Sequence, residues 1–128
     1  MREGAYTVLG AAARFYMPLI VLFGFVLLAT RPAGAGVGFS AGLAVLLAVA
    51  AHALVFGANA ARAATPPWPM RVLAALGLGA AAIGTAATDL PFARQLAEGG
   101  LFTVTAAGGA LIVTALFGRA PTMRDQTP

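Results

Sequence analysis

The sequence predicts an all-α integral membrane protein with four transmembrane helices and with both termini on the cytoplasmic side. Apolar residues make up 60% of the 128 positions and charged residues only 9%, where a soluble domain averages about 25% charged residues. A soluble fold could not cover its surface with 8 basic and 4 acidic side chains. The composition therefore excludes a soluble enzyme and a disordered tail, and the lack of cysteine excludes a disulfide-stapled domain.

Charged residues divide the chain into four apolar segments, and each segment predicts one helix. The first, third and fourth apolar cores cover residues 15–30, 72–88 and 101–117. The second core, between Arg31 and Arg62, is the longest. We expect a single membrane domain over residues 1–128, with helices at about 13–31, 38–60, 70–89 and 100–118.

Three of these cores are short for a membrane span. At about 1.5 Å per residue they cover about 25 Å of a hydrocarbon layer about 30 Å thick. They reach across only if flanking arginines extend to the surface or if protein covers the helix ends. The prolines of the sequence Pro66-Pro67-Trp68-Pro69 predict a stiff, non-helical linker between the second and third helices, with Trp68 at the membrane interface.

Arginine positions give the orientation. Four spans place both termini and the middle loop on one side, and that side holds Arg2, Arg14, Arg62, Arg71, Arg119 and Arg124. The other side holds only Arg31 and Arg94. The positive-inside rule therefore predicts a cytoplasmic location for both termini.

Small residues are frequent in the third helix, where pairs such as Ala75/Gly79 and Ala80/Gly84 recur at a spacing of four. Helices in a bilayer associate through close packing, which small residues permit. An alanine-rich composition would give such pairs without any partner. We favour the interpretation that other helices surround the third helix and that some of them belong to other subunits.

Few polar groups are available for chemistry inside the membrane. His52 is the one ionisable residue deep in a predicted span, so it is an ion-pathway candidate, and a neutral histidine with one interhelical hydrogen bond is the alternative. Asp89 is a second candidate, but we favour the alternative, an interfacial aspartate that helps the chain turn before Pro91. Glu98 is interpreted in the same way as Asp89. No nucleophile, nucleotide-binding or metal-ligand pattern is present, so we expect no catalysis, cofactor, metal or nucleic-acid partner.

The turn into the second helix carries the most specific pattern, formed by Gly36, Gly38, Phe39 and Gly42, and a Pro-Leu step at Pro18 precedes it in the first helix. Together these residues resemble the B subunit of Mrp-type multisubunit cation/proton antiporters, the MnhB family. Ala35 and Val37 depart from the proline and glycine of that family's signature. The family often carries an acidic residue ahead of a glycine in its last helix, and residues 106–108 have none.

The resemblance implies an accessory subunit of a Na⁺(K⁺)/H⁺ antiporter complex in a bacterial or archaeal cell membrane. Its partners would be other hydrophobic subunits, the lipid bilayer, a monovalent cation and protons. The glycines would serve subunit packing, and Phe39 would anchor in the membrane surface or in a neighbour's groove. The alternatives are the homologous subunit of a membrane-bound hydrogenase-type complex, a stand-alone small transporter and an assembly protein.

Overall fold

The computed structural model describes residues 3–30 and 36–117, and this part of the chain is helical throughout apart from short turns. The five helices are α1 (Glu3–Thr30), α2 (Val37–Phe56), α3 (Ala58–Ala64), α4 (Pro67–Ala86) and α5 (Ala93–Phe117). Four of them are long and apolar enough to cross a membrane, which confirms the predicted fold class. Gly34 and the arginines at positions 2, 31, 119 and 124 lie outside the described residues.

The first and last spans are longer than the charge pattern predicts. The four spans run over 24, 20, 20 and 25 residues, and at about 1.5 Å per residue even the shorter ones cover about 30 Å. The first and last helices begin earlier than expected, at Glu3 and Ala93, because Arg14 and Glu98 lie inside helices and do not bound them. Long side chains at the ends of a span can carry their charge out of the hydrocarbon while the backbone stays helical.

The second and third predicted helices also differ from expectation at their shared boundary. The helix expected over residues 38–60 is divided at Gly57, whose φ of 95° and ψ of 166° fall in a region that only glycine visits readily. The prediction of a non-helical linker is wrong for residues 67–69, because α4 begins at Pro67. Proline is tolerated in a first helical turn, where its missing N–H has no partner to lose.

The four spans form a row in the order α1, α2, α5, α4. Gly24 of α1 lies against Ala41 and Val45 of α2, so these helices are antiparallel neighbours. Leu46 of α2 packs on Gly109 of α5, and Gly42 packs on Thr105, which makes α2 and α5 parallel. Close contacts of Gly77 with Gly100 and of Gly84 with Ala97 place α4 antiparallel to α5 on its far side.

This arrangement gives the bundle two distinct ends. The Arg14 end contains the first half of α1, the end of α2, α3 and the start of α4. The Glu98 end contains the starts of α2 and α5, with Asp89 in the turn between α4 and α5. The first described residue of α1 and the last of α5 therefore lie at the same end of the bundle, as an even number of spans requires.

Candidate functional site

A buried carboxylate joins α5 to the start of α2. Glu98, six residues into the described α5 region, keeps only 8% of its surface exposed. Its Oε2 accepts a hydrogen bond from the Gly38 backbone N–H at 2.5 Å. The contact links two residues sixty positions apart in sequence and fixes the relative height of the two parallel helices.

The start of α2 needs this acceptor because its own residues provide none. Gly36 precedes the helix in the left-handed conformation, with φ 73° and ψ 17°, and forms no side-chain cap. The first turn carries no acidic residue either. The first N–H groups of a helix have no intrahelical partner, and the dipole there favours negative charge. Glu98 therefore caps the N-terminus of α2 from a neighbouring helix.

Two glycines let the helices come close enough for this contact. A Cβ placed on Gly38 would overlap the backbone carbonyl of Glu98, and one on Gly42 would lie 2.6 Å from the Thr105 Cβ. Both positions therefore require glycine for close backbone approach. Phe39, between them, points away from this contact and is 53% exposed, so its predicted role as an anchor to lipid or to another subunit concerns the outer surface of the bundle.

Glu98 is the residue that sequence reasoning missed. It was placed before the last helix, among interfacial groups, because the helix was expected to begin near residue 100. The structure begins α5 at Ala93, which puts Glu98 directly ahead of Gly99 inside the last helix. The segment after Pro91 contains arginine, glutamine, leucine, alanine and glutamate, all strong helix formers. That propensity was the available signal for the earlier start.

Asp89 lies at the same end but in a different environment. It is exposed in the turn that follows α4, outside the membrane-spanning helices. Its position fits the interfacial interpretation, in which charge at the headgroup level costs little. The two acidic side chains described at this end therefore differ sharply, since one is solvated and the other is held against a helix start.

His52 lies toward the other end of the bundle, four residues before the end of α2. Its ring is half-buried, and its centroid is 4.9 Å from that of Phe56. The Arg14 guanidinium carbon stands 5.3 Å from the same Phe56 centroid. The histidine therefore shares its surroundings with a fixed positive charge.

The side chains of Arg14, His52 and Phe56 line a cavity of about 740 Å³ between α1, α2 and α3. Pro18, one turn after Arg14, also lines it and lies inside an uninterrupted α1. Proline has no N–H to bond the carbonyl four residues earlier, which is that of Arg14. Most of the remaining wall is aliphatic, so the cavity is an apolar groove with a few polar groups at one end.

The comparisons with known proteins give one result. A family model described as "Domain related to MnhB subunit of Na+/H+ antiporter" matches residues 8–119, which include all four spans, Glu98 and the groove. No curated protein and no solved structure gives a significant match.

Proposed function

This chain belongs to the family of domains related to the MnhB subunit of Na⁺/H⁺ antiporters, and we propose that it is an accessory membrane subunit of a Mrp-type complex that exchanges sodium or potassium for protons. In this role the chain packs against other hydrophobic subunits and contributes a stretch of the cation route. It resides in a bacterial or archaeal cell membrane and has no exchange activity of its own.

The observation that carries this proposal is the small amount of helix surface that the chain covers by itself. Between 17% and 28% of the residues in each apolar span are buried inside the bundle. In a single row, the end helices α1 and α4 each have one main neighbour. Lipid alone could cover the exposed leucines and phenylalanines, but α4 also exposes small residues that favour a helix partner.

Two opposite faces of α4 carry small residues. Gly77, Ala81 and Gly84 are buried against α5. A second stripe at helical spacing, formed by Ala75, Gly79, Ala82 and Ala86, is exposed, and a Cβ on Gly79 would meet no atom within 4 Å. A helix from another subunit could approach this stripe as closely as α5 approaches the first.

For the cation route we propose the Glu98 end. Both acidic side chains described in the central part of the chain, Asp89 and Glu98, lie there, and carboxylates attract cations. One oxygen of Glu98 is engaged by Gly38, which leaves the second oxygen for another contact. At the opposite end the Arg14 guanidinium opposes cation approach. Arg94, in the first turn of α5, also lies at the Glu98 end, so the described charges near the cation route are two acids and one arginine, against Arg14, Arg62 and Arg71 at the opposite end. This difference in charge along the bundle supports the proposal.

The test begins with purification of the tagged chain in mild detergent. We expect several hydrophobic chains to purify with it, including large subunits with many spans, and we expect the assembled complex in liposomes to couple cation and proton movement. The isolated chain in matched liposomes should give no cation-dependent proton flux. Flux from the isolated chain would overturn the proposal in favour of a stand-alone transporter, and co-purifying hydrogenase subunits would assign it to the related complex.

A further inference from the structure

Two contacts between α1 and α2 flank the groove that these helices form with α3. Toward the membrane centre, Gly24 of α1 lies against Val45 of α2. Toward the Arg14 end, a Cβ placed on Gly10 would lie 3.6 Å from a ring carbon of Phe56. The two contact points are fourteen residues apart on α1, or about 21 Å. Met17, Pro18 and Val21 form one wall, and Ala48 and Val49 form the other.

The length and the lining of the groove restrict the kind of molecule that can occupy it. A membrane-spanning helix needs about 20 residues and about 30 Å, so it could not lie in the groove along its length. A volume of about 740 Å³ falls in the range of small-molecule sites, which combine apolar walls with a few placed polar groups. A hydrocarbon chain that enters from the bilayer matches both the length and the lining.

The polar end of the groove fits a phosphate. The guanidinium of Arg14 stands over the Phe56 ring at 5.3 Å from its centroid, which holds the group in place by a cation–π interaction. A guanidinium in this position keeps N–H donors along its edge, and its planar fork matches phosphate oxygens. Thr65 also lines the groove, but its hydroxyl donates to the Ala61 carbonyl at 2.8 Å, so the proposed phosphate contact depends on Arg14.

The depth of Arg14 is also that of a lipid headgroup. Arg14 lies sixteen residues before the end of α1 at Thr30, or about 24 Å along the helix. Phe56 lies nineteen residues after the start of α2, or about 28 Å. Because the hydrocarbon layer is about 30 Å thick, both residues stand close to its boundary, and the apolar walls extend from there toward its centre.

The charge at this end selects an anionic headgroup. Arg14, Arg62 and Arg71 are the described arginines near it, and all three are exposed. The described side chains of Asp89 and Glu98 lie at the other end of the bundle. Basic pockets between transmembrane helices bind anionic lipids. We propose that this groove binds an anionic phospholipid, with its phosphate on Arg14 and one acyl chain along the α1–α2 wall.

The test measures lipid binding to the purified full chain by native mass spectrometry. Phosphatidylglycerol and phosphatidylcholine with identical acyl chains are titrated in parallel. We expect tighter binding of phosphatidylglycerol, and Arg14→Gln should lower its affinity about tenfold, which corresponds to about 1.4 kcal/mol. The matched control Arg71→Gln removes an exposed arginine at the same end outside the groove and should leave the affinity unchanged.

Further measurements distinguish the lipid from free phosphate and from other molecules that could occupy the groove. Inorganic phosphate should not displace the lipid, and Ala60→Phe, which fills the groove wall, should weaken both lipids equally. Arg14→Lys keeps the charge without the fork and should bind with intermediate affinity, which shows that the fold survives change at this position. Equal affinity for the two lipids, an equal loss in Arg71→Gln, or displacement by phosphate would each overturn the proposal.

In the assembled complex, a photoreactive group at Val49 should cross-link to phospholipid. A cross-link to another subunit would show that protein fills the groove and would also overturn the proposal. The failure of this inference leaves the proposed subunit role intact, because that role is tested by co-purification and flux, which do not depend on Arg14.

Discussion

The Glu98 side chain has two separable properties, its hydrogen bond and its charge. Glu98→Leu removes the acceptor for the Gly38 N–H and leaves that donor without its partner in the helix interface. We expect it to lower the free energy of unfolding by about 1 to 3 kcal/mol, measured by thermal unfolding in detergent. Glu98→Gln keeps a carbonyl acceptor of nearly the same shape, so its effect on stability should be smaller.

The same pair of variants tests the proposed cation route. In the assembled complex, Glu98→Gln should assemble normally but lose cation-dependent exchange, because only the charge is gone. Normal exchange in Glu98→Gln would restrict Glu98 to its structural contact with α2. Gly108→Ala is a suitable control in the same helix, since a Cβ at that position meets no atom within 4 Å and alanine favours the helix.

A second residue-scale prediction concerns His52. Its ring and the Arg14 guanidinium contact the same Phe56 ring, and a nearby positive charge opposes cation binding. We therefore expect His52→Ala, tested within the whole complex, to leave cation affinity and exchange rate unchanged. A lower exchange rate in a complex that still assembles would make the histidine part of an ion pathway, and His52→Gln would then show whether a polar group suffices.

At the scale of single residues, the sequence could indicate where glycine matters but not what it contacts. The pattern of Gly36, Gly38 and Gly42 marks the turn into the second helix as a place of packing, where helices approach closely. The partner in that approach, Glu98, is sixty residues away and could be found only once the pairing of α2 with α5 was known. Hydropathy also undervalues Glu98, because it treats a charged residue as the edge of a span.

Among the helices, α4 gives a direct test of the difference between internal and external packing. Gly84→Leu places a large side chain against the backbone of Ala93 and Ala97 and should destabilise the isolated chain by about 1 to 3 kcal/mol. Gly79→Leu adds the same side chain on the open stripe and should leave the melting temperature of the isolated chain unchanged.

The yield of co-purifying subunits gives a second test of the difference between the two faces of α4. Gly79→Leu should reduce the yield of co-purifying subunits, because its side chain blocks the approach of a helix to α4. Equal co-purification of Gly79→Leu and the unmodified chain would mean that lipid, and no subunit, covers this face. A loss of melting temperature in isolated Gly79→Leu would show that the face is already occupied within the chain.

Hydropathy predicts the number and order of the membrane spans well, because bilayer insertion requires long apolar segments. It predicts helix ends poorly, because backbone hydrogen bonds continue through residues whose charged ends reach the surface. Pro67 and Pro69 illustrate a second cause of error in predicting helix ends, which is that the effect of proline depends on its position in the helix. Proline stops a helix from its interior but is compatible with a first turn, so the same residues that separate α2 from α4 also begin α4.

The whole molecule is a row of four spans, and this shape could not be derived from the sequence alone. Small residues occur on several faces of the third predicted span, which is α4, and suggested that other helices surround it. In the structure, α4 is the end of the row and packs mainly on α5. The remaining small-residue face fits the predicted contact with another subunit, and that contact stays a prediction.

Orientation is the property of the whole molecule that remains to be measured, and the absence of cysteine makes single-cysteine labelling straightforward. Thr65→Cys reports on the Arg14 end and Asp89→Cys on the Glu98 end, with the twenty residues of α4, about 30 Å, between them. Arg14, Arg62 and Arg71 lie at the first end, and the positive-inside rule makes that end cytoplasmic. An impermeant maleimide should therefore label Asp89→Cys in intact cells and Thr65→Cys only after permeabilisation. Leu78→Cys, in the middle of α4, should react in neither condition if lipid or a partner covers it, and labelling of Thr65→Cys from outside would invert the orientation.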